Sequence, residues 1–345
     1  MPDTAAWPEP LPDTPNWVCI AQTNQYLADF APYVPAVNAL GQVAFQATLS
    51  EGGSGVFVGD GQRLYPLAEA QNPHLLDFYS HPVLDPQGAV SIYARNRQGQ
   101  SGLWHWQAGL WRCLSAPSLS PGPLGPTGNA CSQVAFRAWL PNQSQGIFCT
   151  ALELEQPAHL VAQTGQHFSA FHGLPVMLEQ GKVLFRASTE PGQEGIYAWT
   201  GTQIESLVTS GEHFCQLGHF PAANAQGELV FAGTLDSGVD ALLLLRQGRL
   251  ETLLDTASTP FVQIRGGLIN GAGQVVFFAR QAHSQLGVYA LSGSAIKPLL
   301  GLGDRLWGAS LTDLALNAVS FSDQNQLALR VILSDQRQLI LRTEV

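Results

Sequence analysis

Charge is scarce in this chain. Only 12% of its 345 residues are Asp, Glu, Lys or Arg, and the basic ones are the rarer kind, 16 against 26 acidic. The net charge of −10 withholds the basic footprint through which nucleic-acid binders release counterions, so no nucleic-acid partner is expected. An anionic membrane surface is disfavoured for the same reason. Long apolar runs are missing too. No stretch of 18 apolar residues exists to make a transmembrane helix, and no membrane insertion is expected. The five cysteines, Cys19, Cys113, Cys131, Cys149 and Cys215, include no C-x-x-C pair. Their odd number and wide separation argue against a disulfide framework or zinc knuckle and read as small apolar residues within strands. The N-terminus lacks both the basic and the apolar region of a signal peptide. Four prolines between Pro8 and Pro15 make residues 1–15 a flexible, Pro-rich arm instead. A cytoplasmic protein is the expectation.

Signatures of catalysis are absent as well. The chain has no G-x-S-x-G elbow, P-loop, H-E-x-x-H or G-x-G-x-x-G. No catalytic residue, metal ligand set or cofactor is therefore assigned. Helical periodicity is missing: no segment sustains apolar residues at i, i+3, i+4, i+7.

What is abundant is turn chemistry and short apolar segments. Gly (35) and Pro (22) punctuate runs of 5–8 residues rich in Val, Leu, Phe and Tyr. Two anchors recur along the chain. The first is Phe45, Ile92, Phe136, Phe185, Phe231, Phe277 and Leu329. The second is Phe57, Trp104, Phe148, Tyr197, Leu243, Tyr289 and Leu341, always 12 residues later. Successive first anchors lie 47, 44, 49, 46, 46 and 52 residues apart. A rigid short spacing inside a variable long one is the behaviour of a hairpin within a repeat whose connecting loops drift. Four strands per repeat of about 46 residues is the arithmetic of a propeller blade. The chain is thus predicted to be all-β, a single seven-bladed β-propeller of four-stranded blades over residues 16–345.

The fourth strand recurs near Leu64, Leu110, His159, Ile204, Leu250 and Ile296, but the seventh unit ends after its third strand. Residues 17–23 resemble residues 159–164. The N-terminal strand is therefore predicted to close the ring as outer strand of the last blade.

The first turn of each unit carries a motif, fullest in Asn38-Ala-Leu-Gly41-Gln-Val-Ala44-Phe45. It recurs at Asn224…Gly227…Phe231 and Asn270…Gly273…Phe277, with degenerate copies at Asp85…Gly88…Ile92 and Gly181…Phe185. The pattern resembles the NxxGxxAF tandem-repeat family of bacterial propeller-like proteins, over nearly the whole chain after residue 30. The resemblance implies architecture and no chemistry. Members of that family often look exported or anchored, a pattern from which this chain departs. Read from the residues alone, the motif is a tight turn: Asn or Asp followed by Gly supplies a positive φ, and the aromatic residue opens the next strand.

Loops leading into the innermost strands hold the unusual side chains. Residues 27–35 bring Tyr33, and residues 75–82 bring Asp77, Tyr79 and His81. Residues 167–175 bring His167 and His172, and residues 213–221 bring His213, His219 and Phe220. Arg265 follows in the sixth unit. Polar and aromatic groups converging on the mouth of a channel would form a ligand site. Trp104, Trp106 and Trp111, with Trp199, form a second cluster. The leading functional expectation is a non-enzymatic scaffold or assembly factor, monomeric by itself, that binds a protein partner. The alternatives are a small-molecule or metal-binding propeller, enzymatic or not, using the His/Tyr/Asp mouth, and a carbohydrate-binding module using surface Trp and Tyr.

Overall fold

An antiparallel hairpin keeps the sum of paired residue numbers constant, so a fixed 12-residue offset means that the two anchors face each other. They do so in all seven units: Phe45 opposite Phe57, Ile92 opposite Trp104, Phe136 opposite Phe148, Phe185 opposite Tyr197, Phe231 opposite Leu243, Phe277 opposite Tyr289 and Leu329 opposite Leu341. In four blades the pair is two stacked rings, 5.5–5.7 Å between centroids and 20–26° between planes. These rings and their aliphatic equivalents fill the spaces between neighbouring sheets. Ile20 and Ile340 of the last blade, for example, pack with Phe45 and Phe57 of the first.

The structure is a computed structural model and describes residues 16–69, 72–151, 157–190, 193–211 and 213–345. The Pro-rich arm expected at residues 1–15 lies outside the described residues. Seven antiparallel sheets follow one another as the blades of a β-propeller. Blade four shows the plan: Ala170–Met177 innermost, then Val183–Glu190, Gln193–Trp199 and Ile204–Thr209 outermost. Helical structure among the described residues is confined to two 3₁₀ turns, Glu179–Gly181 and Ala318–Ser320.

Blade seven takes its inner three strands from Ala309–Ala315, Gln326–Leu333 and Gln338–Glu344, and its outer strand from Val18–Gln22. That N-terminal strand pairs Val18 with Arg342 and Gln22 with Leu339, and bulges at Ile20. The same bulge marks the outer strand of blade three, between His159–Leu160 and Ala162–Gln163. The likeness between residues 17–23 and 159–164 is thus a likeness of backbone shape. Thr23 continues the seam: its N–H donates to the Gln338 carbonyl at 2.9 Å, and its Oγ1 accepts from the Gln338 N–H at 3.0 Å.

The repeat motif does more than turn the chain. In the fullest copy Gly41 takes φ +73°, as the turn requires. The Asn38 carboxamide oxygen accepts from the N–H of Leu40 (3.1 Å) and Gln42 (3.0 Å). Its amide nitrogen reaches the next blade and donates to the Asp85 carbonyl at 3.1 Å. Asn129 reaches Leu178 (2.8 Å), Asn224 reaches Asn270 (2.9 Å) and Asn270 reaches Ser322 (3.4 Å) in the same way. Asparagine therefore serves both halves of the job, because one side chain carries an acceptor for its own turn and a donor for the neighbour. Asp85 keeps the acceptor role and has no amide to donate.

Two outcomes follow from this architecture. Deleting residues 1–25 removes the strand that closes blade seven and exposes its edge, so the truncated chain should lose its single cooperative thermal transition or melt well below the full chain. A truncated chain that melts cooperatively at the full-length temperature would mean that the seam carries no stability. In Asn38→Asp the turn acceptors remain and the donor to Asp85 is lost. Urea denaturation should show a loss of about 1–3 kcal/mol, the cost of an unsatisfied buried group. No change would show that the bond between blades contributes nothing.

Candidate functional site

The channel is shaped by interruptions in the innermost strands. In blade one, Asp29 lies opposite Thr48 and Ala36 opposite Ala44, so three residues more run along the inner strand than along its partner. Blades two, three, four, five and seven carry similar kinks of two or three extra residues. These kinks, not the loops leading into the strands, bring side chains and carbonyls into the channel. Much of what the sequence suggests as loop is the inner strand itself, including Leu27–Asp29, Leu75–Phe78 and Phe214–Leu217. Blade six is the exception. Its inner strand, Phe261–Ile269, carries only one extra residue at this level, Arg265, between Ile264 opposite Ala279 and Gly266 opposite Phe278.

Each kink exposes backbone groups that need partners, and the residue after the first anchor of the preceding blade supplies several of them. Arg137 in blade three donates to the carbonyls of Gly173 (2.9 Å) and Phe171 (3.1 Å) in blade four, and also bonds Gln145. Arg186 in blade four donates to His219 Nδ1 in blade five at 3.1 Å and pairs with Glu194. Both arginines are buried, at 5% and 2% exposure. Gly173 sits at φ +61°, and a Cβ there would lie 2.2 Å from the His219 carbonyl, so that neighbour admits only glycine. In blade five the equivalent residue is Ala232. The missing arginine coincides with the smaller insertion of blade six. The space they leave joins the channel in a cavity of about 950 Å³, mainly apolar, whose wall includes Ala232, Asp240, Arg265, Gly266 and Phe278.

Of the residues singled out from the sequence, Tyr33, Tyr79, His81, His219, Phe220 and Arg265 line this cavity. The others do not. Asp77 is paired with Arg95 on the exposed side of blade two. His167 and His213 are exposed and set edge-on against Phe168 and Phe214. His172 lies 2.7 Å from Ser188 Oγ; burial, assisted by the Arg186 guanidinium, holds its pKa below the usual value. Among the described residues no three His, Cys, Asp or Glu side chains gather in a way that could hold a metal ion. His81 is 3% exposed, with Nε2 2.9 Å from the Pro126 carbonyl. That contact makes Nε2 the protonated nitrogen, and burial pushes the pKa down to about 4. It is a structural histidine at the cavity wall.

The tryptophan cluster turns inward: Trp104 is buried, and Trp106, Trp111 and Trp199 are half-buried, with Trp199 stacked on His159 of the preceding blade at 4.9 Å. His105 between the two tryptophans is 2% exposed and bonds Ser91 Oγ at 3.0 Å; burial also pushes its pKa down to about 4. The cysteines are not uniformly strand-core residues. Cys149 is buried, Cys19 and Cys113 are half-buried, and Cys131 and Cys215 are exposed. The sequence reading missed Asp240 and Ala232. The signal for Ala232 was the column of residues after each first anchor, where Arg137, Arg186 and Arg330 contrast with it; for Asp240 it was the position three before each second anchor, shared with Gln145 and Glu194.

No protein-family profile matches the chain, and no curated protein sequence matches it either. Its fold is shared with solved structures. An oligogalacturonate lyase in complex with manganese superposes with a TM-score of 0.61 at 11% identity, covering 95% of this chain and 97% of the other. An oligogalacturonate lyase from Vibrio parahaemolyticus gives 0.59 at 10% identity, covering 95% and 98%. The acylaminoacyl peptidase of Pyrococcus horikoshii gives 0.55 at 13% identity, covering 91% of this chain and 52% of that one. At such identities the likeness is one of fold alone.

The two buried histidines set an acid limit on stability. Their folded pKa values lie below the unfolded value of about 6.5, so the unfolded chain binds protons more readily. Their stabilising neutral state is fully present above about pH 6.5 and is lost as pH falls toward 4. Between pH 7 and pH 5 each should cost on the order of 2 kcal/mol. Urea denaturation of His105→Gln should show a shallower decline over that interval than the parent protein. Parallel pH profiles would remove His105 from the account.

Proposed function

We propose that the protein is a non-enzymatic binding propeller that holds a segment of a protein partner in the channel mouth. The observation that carries this reading is the cavity itself: about 950 Å³, open to solvent, mostly apolar, with single polar groups drawn from different blades. An apolar concavity with a few separated polar groups fixes the orientation of a bound chain. Phe220 stands at the rim, 48% exposed, and Arg265 is exposed beside it with no hydrogen bond or ion pair among the described residues. Aromatic residues and arginine are the side chains that most often anchor protein interfaces. The same volume and apolar lining favour a small organic ligand as the second reading, since such sites span about 300–1,000 Å³.

A photo-crosslinking amino acid at position 220 tests the proposal against one at Leu110, which is 76% exposed on the outer strand of blade two. In cells expressing each variant, a discrete protein adduct should form at 220 and not at 110, and Arg265→Glu should weaken it. Adducts at 110 alone, or none at 220, would move the partner off the channel mouth.

A further inference from the structure

The wall of the cavity between blades five and six contains half of a pair that the neighbouring blade has whole. In blade four, Arg186 lies opposite Ile196 and Glu194 opposite Ser188, and the arginine and the acid form a buried ion pair across the hairpin. In blade five the register is the same, with Ala232 opposite Leu242 and Asp240 opposite Thr234. The acid position is kept and the arginine position is an alanine. Blade three holds the same arrangement with an amide, Arg137 on Gln145.

Asp240 is half-buried and held in place from both sides. Its N–H donates to Thr256 Oγ1 at 3.2 Å, and its Oδ1 accepts from Thr234 Oγ1 at 2.9 Å. Oδ2 has no hydrogen bond, and no Lys or Arg pairs with this carboxylate among the described residues. The nearby Arg265 lines the same cavity and makes no ion pair with it. Space, register and an unneutralised carboxylate therefore coincide where the fold elsewhere places a guanidinium.

We infer that Asp240 forms a subsite for a guanidinium carried by the ligand, such as an arginine side chain of a bound segment, which takes the place that Arg186 fills in blade four. The inference rests on the channel mouth being the binding site and adds the charge and shape of one group that enters it. A guanidinium suits this position because it can bond the carboxylate through two N–H groups, and Gly266, with nothing within 4 Å of where a Cβ would stand, leaves room for its plane.

The test uses N-acetyl-L-argininamide, which carries one guanidinium, and N-acetyl-L-norleucinamide, which has an apolar chain and no charge. Binding of each to the full-length protein is followed by NMR. The parent protein should prefer the arginine probe by about tenfold or more. Asp240→Asn should erase that preference while leaving the thermal melt in place. Ala232→Arg should rebuild the internal pair, raise the melting temperature and exclude the arginine probe. Equal binding of the two probes by the parent, or a preference that survives in Asp240→Asn, overturns the subsite. If the preference depends on Asp240 but no adduct forms at position 220, the subsite stands and the protein-partner reading falls. If adducts form at 220 and the probes bind alike, the reverse holds.

Discussion

The hydrogen-bonded seam between Val18–Gln22 and Gln338–Glu344 is the constraint on which the rest of the ring depends. Each blade buries its faces only against two neighbours, so an open ring would leave two apolar faces and one strand edge in water. Closing the circle with a strand from the other end of the chain removes both liabilities at once. It ties residues 18–22 to the C-terminal strand, and the packing of Ile20 with Phe45, Phe57 and Ile340 makes blades one and seven a single core. The asparagine bonds between adjacent motif turns serve the same end near the opposite mouth of the channel, by giving each blade a directional contact with the next.

A closed ring still has to fill or leave open its centre. Here the inner strands fill it with kinks, and kinks leave backbone carbonyls away from the sheet ladder. In blade four a buried arginine from blade three meets that cost. Arg137 is desolvated enough to lower its pKa, yet its guanidinium satisfies two carbonyls of the next blade. A burial of this kind is tolerable only where the donors find partners, because an uncompensated buried charge costs about 3–5 kcal/mol. Arg137 serves the kink of blade four in this way. Kinks also follow Gln46, Tyr93 and Phe278 at the equivalent position, so arginine is one solution among several. Ala232 precedes the smallest insertion, the single residue Arg265 of blade six, and both line the central cavity.

Ala232, Asp240 and Arg265 set blades five and six apart from the rest of the ring. Around blades three to five, His172 bonds Ser188, His219 bonds Arg186, and Arg137 bonds backbone carbonyls. Around blades five and six, Asp240 and Arg265 line the open cavity without forming an ion pair with each other. A concentration of histidines drew attention to the first region because histidine is chemically versatile. Its partners in the structure are serine, arginine and a backbone carbonyl, which are packing partners.

The blade count, the hairpin register and the closing strand were legible in the sequence, because all three follow from local periodicity. A 12-residue offset survives in Leu329 and Leu341 as well as in Phe45 and Phe57, and the bulged shape of residues 159–164 is written again in residues 17–23. The turn role of Asn38 was legible for the same reason, while its reach to Asp85, in the next blade, was not. The site lay further from view. Tyr33, Tyr79, His219 and Arg265 could be placed near the channel, but Asp77, His167, His172 and His213 could not be told apart from them, since strand position alone does not say which side chains a kink turns inward. Asp240 and Ala232 stand out only once the blades are aligned. Asp240 keeps the acid position of Glu194 while Ala232 replaces the arginine of Arg186, and only the tertiary structure shows that the space this leaves opens on the channel.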